Sequence, residues 1–168
     1  MKKKNSELLS VDKNYVPAST DDGDELYPNG IFVFNITKIV EYIQKNPVTI
    51  PLKEVAISDF FKDFSSIKES HVDSVDISKP VILAEISPGQ YNLIDGNHRM
   101  EKIRRMGIDS IRAYKLDVNH HMQFLTSQKA YVAYVEYWNN KLKQKAMDRT
   151  ACQDKSRRTQ HLRRREVP

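Results

Sequence analysis

The amino-acid sequence predicts an α+β fold built around a small mixed sheet with packed helices. Within residues 80–116, a strand, a tight turn, a second strand, a Gly-containing loop, a helix and a third strand follow one another. Apolar residues also recur at helical spacing before this unit and after it. Because strands and helices alternate with short connections, we expect the helices to pack on the sheet as one α+β unit.

The first predicted helix follows Asn35, a residue type that often caps helix N-termini. Its apolar side chains recur at i, i+3, i+4 and i+7, namely Ile36, Ile39, Val40 and Ile43. Lys45 lies in its last turn, and Pro47 ends it. The β-branched segment 48–57 predicts a strand with a proline break. Ser58 is then expected to begin a short helix, whose aromatic residues are Phe60, Phe61 and Phe64.

A hairpin and a helix form the centre of the predicted unit. Val81 to Ile86 and Tyr91 to Ile94 are predicted strands, joined by a Ser-Pro-Gly-Gln turn. A helix is expected from His98 to Met106, and Gly107 follows where a left-handed C-cap glycine would stand. Residues 111–116 form the third predicted strand.

Two further helices are predicted after this unit. A short helix is expected over 119–125, and a long one, capped by Thr126 or Ser127, is expected to reach about Lys145. The long helix carries aromatic residues at helical spacing, at Tyr131, Tyr134, Tyr137 and Trp138. Such a stripe is typical of core packing, although an exposed stripe would dock a partner or a second copy of the chain.

The basic character of the chain belongs to its C-terminus. The 168 residues carry a formal net charge of +5, and residues 141–168 alone carry ten basic and three acidic residues. Residues 5–140 carry a formal net charge of −5, so the part of the chain that is expected to fold is mildly acidic. From Met147 onward large apolar residues are scarce, which predicts a disordered basic tail over 147–168. The tail is either a solvated segment or an arm for DNA or another acidic partner.

Several classes of protein are excluded by composition. No apolar run approaches the roughly 20 residues of a membrane helix, and no apolar stretch follows the basic start as in a signal peptide. Cys152 is the single cysteine, so an internal disulfide and a CxxC zinc site are excluded. We therefore expect a cytoplasmic protein with no membrane partner, divided into an irregular segment (1–30), one domain (31–146) and the tail.

An acidic cluster lies in the irregular segment, at Asp21, Asp22, Asp24 and Glu25. Carboxylates at this density are ligands for a divalent metal in some proteins, and in many others they form a solvated loop. The sequence leaves both interpretations open, and the metal ligands, if there are any, stay unknown.

The junction of a predicted strand and a predicted helix carries several polar side chains, in the string Asp95-Gly96-Asn97-His98-Arg99. The first turn of a helix offers unpaired N–H groups to an anion, and a glycine lets a ligand approach the backbone closely. Arg99 offers a fork of donors to phosphate oxygens, and His98 is able to donate to phosphate or to move a proton. Asp95 would act as a base, hold Mg²⁺ or cap the helix.

Together with its flanking strands, this string resembles the ParB/sulfiredoxin superfamily, and in particular ParB-like nuclease domains. The resemblance covers at most residues 45–120 and includes the order of elements. It implies that the His98–Arg99 pair cradles nucleotide phosphates. It departs from sulfiredoxins at Asn97, where they place a catalytic cysteine. Too few residues follow Leu116 to hold the further domains of a ParB partition protein.

The resemblance implies a nucleotide-binding protein that takes ATP, ADP or CTP with Mg²⁺. We expect Gly96, Asn97, His98 and Arg99 to bind the nucleotide. Asp95, His98 and Glu85 are the candidate catalytic residues, since relatives that are free-serine kinases use an acidic base outside the motif. Glu54 is a second candidate for that base. The reaction would be hydrolysis of a nucleoside triphosphate or transfer of its phosphoryl group to a small acceptor.

Two alternatives remain open at the level of sequence. A DNA-associated nuclease or accessory factor would use the basic tail. A non-catalytic interaction module would use an exposed aromatic stripe, and either alternative would allow an oligomer.

Overall fold

The structure of the chain is a computed structural model that describes residues 7–61 and 67–163. Its strands are β1 (Leu26–Asn29), β2 (Phe32–Asn35), β3 (Leu52–Ala56), β4 (Phe60–Phe61), β5 (Val81–Ser87), β6 (Gln90–Asp95) and β7 (Ser110–Leu116). Its α-helices are α1 (Ile36–Lys45), α2 (Glu69–Val72), α3 (Asn97–Arg105), α4 (Val118–His121) and α5 (Gln128–Arg163).

The central sheet is mixed and has the strand order β3-β7-β5-β6-β4. Strand β5 is parallel to β7 and antiparallel to β6, while β4 pairs with β6 in parallel and β3 with β7 in antiparallel. Strands β1 and β2 form a separate antiparallel hairpin. The predicted α+β class with a small mixed sheet, packed helices and a long C-terminal helix is confirmed.

Strand β5 is buried on both faces, which is typical of a central strand that packs helices on each side. Alternate residues of β5 face two different cores. Ile82 and Ala84 pack with residues of α1 and α5, whereas Val81 and Leu83 pack with Met100 of α3 and its neighbours. Helix α3 therefore lies on the face opposite α1 and α5.

Two predicted helix N-caps and one predicted left-handed glycine are present in the structure. Asn35 caps α1, since its side-chain oxygen accepts a hydrogen bond from the Lys38 amide at 3.0 Å. Ser127 precedes α5 and accepts from the Ala130 amide at 3.1 Å. Gly107 follows α3 with a φ of +68°, in the left-handed region predicted for it.

Two predictions of local structure were wrong. Strand β1 lies inside the segment 1–30 that was expected to be irregular; it has only four residues and contains Pro28, so no alternation is visible in the sequence. No helix begins at Ser58: residues 57–59 form a 3₁₀ turn that leads into β4. Two consecutive phenylalanines extend the sheet edge there, and the expected helical position of Phe64 lies outside the described residues.

Helix α5 continues to Arg163, although the sequence predicted its end near Lys145 and disorder from Met147. Residues 146–163 contain neither glycine nor proline, and half of them are Ala, Arg, Lys or Gln, which have high helix propensity. Propensity therefore carries the helix past the last core contacts, and residues 146–150 are exposed. Residues 164–168 lie outside the described residues.

The aromatic stripe of α5 belongs to the core. Tyr131, Tyr134 and Trp138 are each at most 1% exposed. Tyr15 stacks on Tyr131 with ring centroids 3.7 Å apart, and the Trp138 indole donates to the carbonyl of Glu7 at 3.0 Å. The N-terminal segment thus covers these rings within the same chain, which removes the exposed stripe that an interaction module would need.

Within the described residues, no helix is both long and apolar enough to cross a bilayer.

Candidate functional site

The polar string 95–99 occupies the junction between β6 and α3. Asp95 ends the strand, and Gly96 takes a φ of +100° and turns the chain into the helix. The first helical hydrogen bond runs from the Met100 amide to the Gly96 carbonyl, at 2.9 Å. The three preceding amides, those of Asn97, His98 and Arg99, therefore have no intrahelical acceptor, and no side chain caps the helix.

Arg99 folds back over the start of its own helix. Its Nη2 donates to Asp95 Oδ2 at 2.8 Å, and its side chain is only 19% exposed. Asp95 is thus the ion-pair partner of Arg99 and not a helix cap. The Nε of Arg99 is buried and has no hydrogen-bond partner in the described part of the chain. A buried donor without an acceptor costs free energy, so this atom marks a place where an acceptor is missing.

Gly96 is required by packing as well as by its backbone angle. A Cβ at this position would lie 2.6 Å from Val81 Cγ1 and 2.9 Å from Arg99 Nη2. The absence of a side chain is what lets the guanidinium lie against the backbone of the strand–helix junction.

The charge of Glu25, an exposed residue of the acidic cluster in the N-terminal segment, acts on this junction. Its carbonyl accepts from the Ile36 amide at 2.8 Å and its amide donates to Thr37 Oγ1 at 2.9 Å, which fix it at the start of α1. Burial and the negative charge of Asp95 raise the pKa of Glu25, while Arg99 acts in the opposite direction. The charges of Glu25, Asp95 and Arg99 therefore interact.

The other acidic residues of the cluster have structural partners or face solvent. Asp24 accepts from Asn35 Nδ2 at 2.6 Å, and Asp21 lies 3.3 Å from the ammonium of Lys38. Asp22 is exposed. In the described part of the chain, no three His, Cys, Asp or Glu side chains gather as a metal site.

His98 lies in the first turn of α3, close to α2. Its Nε2 accepts a hydrogen bond from the Lys68 amide at 3.0 Å, which places the proton of the neutral ring on Nδ1. The ring contacts His71 edge-on, with centroids 5.5 Å apart. His98 therefore keeps one N–H donor at the start of the helix.

The rest of α3 is tied to its surroundings by ion pairs and by Lys102. Glu101 is nearly buried and accepts from both Arg104 and Arg105, at 2.7 Å each, and these hydrogen bonds lower its pKa to about 2. Arg105 also pairs with Glu69 of α2 at 2.7 Å. The ammonium of Lys102 donates to two carbonyls of the loop after α2. These contacts hold the helix and the α2 region together beside His98.

The structure does not bring Glu85 or Glu54 to this junction. Glu85 pairs with Tyr91 in the sheet, whereas Asp95 pairs with Ile82, three residues earlier on β5 and about 10 Å away at the usual rise of a strand. The Glu85 carboxylate accepts from the Gly89 amide at 2.7 Å and so supports the hairpin turn. The carboxylate of Glu54 accepts from the Ser110 hydroxyl.

Glu25 is the residue at this junction that sequence reasoning did not single out. Seventy residues separate it from Asp95, and no local pattern links the two. The only available signal was its membership in the acidic cluster.

Solved structures that are similar to the chain include a sulfiredoxin and a ParB protein. No protein-family model and no curated protein sequence matches the chain. A sulfiredoxin from Arabidopsis thaliana is 18% identical over 39% of this chain and 84% of its own, with a TM-score of 0.34. The partitioning protein ParB from Caulobacter crescentus, C-terminally truncated and complexed with CTP-γ-S, is 14% identical over 50% of this chain and 49% of its own, with a TM-score of 0.34.

Proposed function

We propose that this chain binds a nucleoside triphosphate at the start of α3 and acts on its terminal phosphoryl group. The observation that carries the proposal is the buried Nε of Arg99, which lacks an acceptor beside an uncapped helix N-terminus. Three free amides, the positive end of the helix dipole and a guanidinium fork together suit phosphate oxygens.

The residues at this junction also fit Mg²⁺ when it enters with the nucleotide. Mg²⁺ is usually held by one or two carboxylates together with phosphate oxygens and water, and not by a complete protein cage. Asp95 would supply such a carboxylate, and Glu25 would stay free of the metal. The metal would neutralise phosphate charge that these two acidic residues would otherwise repel.

Each residue then has a role in hydrolysis or in transfer to a small acceptor. Arg99 and the amides of residues 97–99 stabilise the charge on the phosphate oxygens, with Asp95 positioning Arg99. His98 donates a further hydrogen bond from Nδ1. Glu25 accepts the proton of the attacking hydroxyl or water as the new P–O bond forms and the bond to the nucleoside diphosphate breaks. Glu25 takes the role that Glu85 held in the sequence hypothesis, because Glu85 supports the turn.

Calorimetric titration with ATP, ADP and CTP, each with and without Mg²⁺, tests the binding step. We expect saturable heat with at least one nucleotide and tighter binding of the triphosphate when Mg²⁺ is present. The absence of heat with all three nucleotides would overturn the proposal.

Exchanging two glutamates tests the catalytic step. We expect Glu25→Gln to lower nucleotide turnover about 100-fold, the scale of general base catalysis, while nucleotide affinity changes by less than about threefold. Glu85→Gln is the matched control, and it should lower turnover by no more than about threefold. Release of inorganic phosphate is the measurement. If the Glu85 variant loses the activity and the Glu25 variant keeps it, the assignment is reversed.

A second candidate function is association with DNA through α5. The observation that favours it is the continuation of α5 to Arg163 as a basic helix, exposed where residues 146–150 leave the core. Residues 141–163 carry eight basic and two acidic residues, so they would displace counterions from a nucleic-acid backbone. A gel-shift comparison of the full chain with residues 1–146, at low and moderate salt, tests it. Equal binding by the two, or binding by neither, would exclude this role for the helix.

A further inference from the structure

We propose a second binding site, for a small organic oxyanion, in a groove beside β3 and β7. The groove has a volume of about 410 Å³ and shares no residue with the junction described above. Its polar lining comes from four parts of the chain, and the residues used in the argument are Lys53, Tyr91, Lys115, Asp117 and His120. The ligand we assign is a carboxylate or a phosphate monoester.

Two lysines supply the positive charge of the groove. Lys115 lies on β7 with its ammonium 3.9 Å from the centroid of the Tyr91 ring, a cation–π contact that fixes its position. Lys53 lies on the neighbouring strand β3, opposite Ala113, and so on the same face as Lys115. Among the described residues, neither lysine forms an ion pair with a carboxylate.

The carboxylates of the lining are mostly engaged. Asp117 Oδ1 lies 2.9 Å from Nδ1 of His120 and accepts from the His120 amide as the cap of α4. Glu54 accepts from Ser110, and only Asp59, which is exposed, has no strong partner among the described groups. Because Nδ1 of His120 contacts Asp117, Nε2 is the ring nitrogen that remains for a ligand.

The lining holds three carboxylates, of which Glu54 and Asp117 already accept hydrogen bonds, whereas neither ammonium group has an acceptor among the described groups. Two ammonium groups, the Tyr91 hydroxyl and the His120 imidazole line one polar groove, and an oxyanion would supply the acceptors they lack. A groove of this size holds a small molecule and not only an inorganic ion.

Titrations followed by amide chemical shifts test the site, with inorganic phosphate in one series and malonate in the other, at constant ionic strength. We expect saturable shifts at Lys53, Lys115 and Asp117. The series with the lower half-saturation concentration distinguishes a phosphate from a carboxylate ligand. In Lys53→Met/Lys115→Met the half-saturation concentration should rise at least tenfold, and in Lys129→Met, which removes an exposed lysine elsewhere, it should not change.

Two further variants keep the test decisive. Lys53→Met alone changes an exposed residue of an edge strand and should raise the half-saturation concentration at least threefold even if the double variant does not fold. Arg99→Met should leave the shifts at the groove unchanged, so the outcome is independent of the nucleotide proposal. The site is disproved if neither anion gives saturable shifts there, or if the lysine variants saturate as the wild type does.

Discussion

Replacing Gly96 by alanine should destabilise the fold by about 3 kcal/mol, which is the sum of backbone strain and overpacking. The backbone there has a φ of +100°, which side chains with L configuration rarely adopt. The new Cβ would also lie 2.6 Å from Cγ1 of Val81, which is fully buried and has no space to move into. The free energy of unfolding from urea denaturation measures this loss.

Gly107→Ala is the matched control for that variant. Gly107 has a φ of +68°, but nothing lies within 4 Å of the position its Cβ would take. We expect a loss of about 1 kcal/mol, from backbone strain alone. Similar losses in the two variants would contradict the close packing of Gly96 against Val81 and Arg99.

Acid should destabilise the fold through His121. The ring is fully buried between Phe34 and Tyr134, and its Nε2 lies 2.9 Å from the Glu85 carbonyl oxygen. Burial lowers the pKa of His121 to about 4, with smaller opposing effects of the hydrogen bond with the Glu85 carbonyl and of the charge of Asp117. The folded state therefore holds the ring neutral, while the unfolded chain binds a proton below about pH 6.5.

The loss of stability falls between the two pKa values of His121, that of the unfolded chain and that of the folded chain. As pH falls from about 6.5 to 4, protonation favours the unfolded state, and about 3 kcal/mol of stability is lost. Below about pH 4.5, protonation of Glu101, whose pKa is lowered to about 2, adds a further loss. Urea denaturation at a series of pH values measures both.

His121→Phe keeps a ring against Phe34 and Tyr134, and the Glu85 carbonyl keeps its hydrogen bond from the Tyr134 hydroxyl. This variant should lose most of the dependence between pH 6.5 and 4.5. His71→Gln, which removes an exposed histidine, should retain it. A slope that is equal in the wild type and in His121→Phe would show that His121 does not titrate as we describe.

The sequence predicted those parts of the fold that depend on neighbours in the chain. The cap at Asn35, the hairpin of β5 and β6, and the left-handed turn at Gly107 follow from local residue chemistry. The start of α3 at the 95–99 string was predicted for the same reason. Four-residue β1 was missed because a short strand that contains proline has no recognisable period.

Contacts between distant segments were not predictable. The charges of Glu25 and Asp95 interact although the two residues lie far apart in the chain, which no spacing in the sequence expresses. Glu85 was expected at the site because it lies on a strand of the same hairpin, yet its position along the strand puts it at the turn. Helix α5 is longer than predicted because residues of high helix propensity continue after the apolar residues end.

The dissociation constant of the Mg²⁺–nucleotide complex in Arg99→Met tests the central claim most directly. In the proposed site the guanidinium of Arg99 binds phosphate oxygens at the start of α3, so we expect the variant to bind at least tenfold more weakly than the wild type, or about 1.4 kcal/mol. Arg112→Met removes the same charge from an exposed position of β7 and should bind like the wild type. Equal affinity in the wild type and in a folded Arg99 variant would contradict the assignment of the phosphates to this helix start.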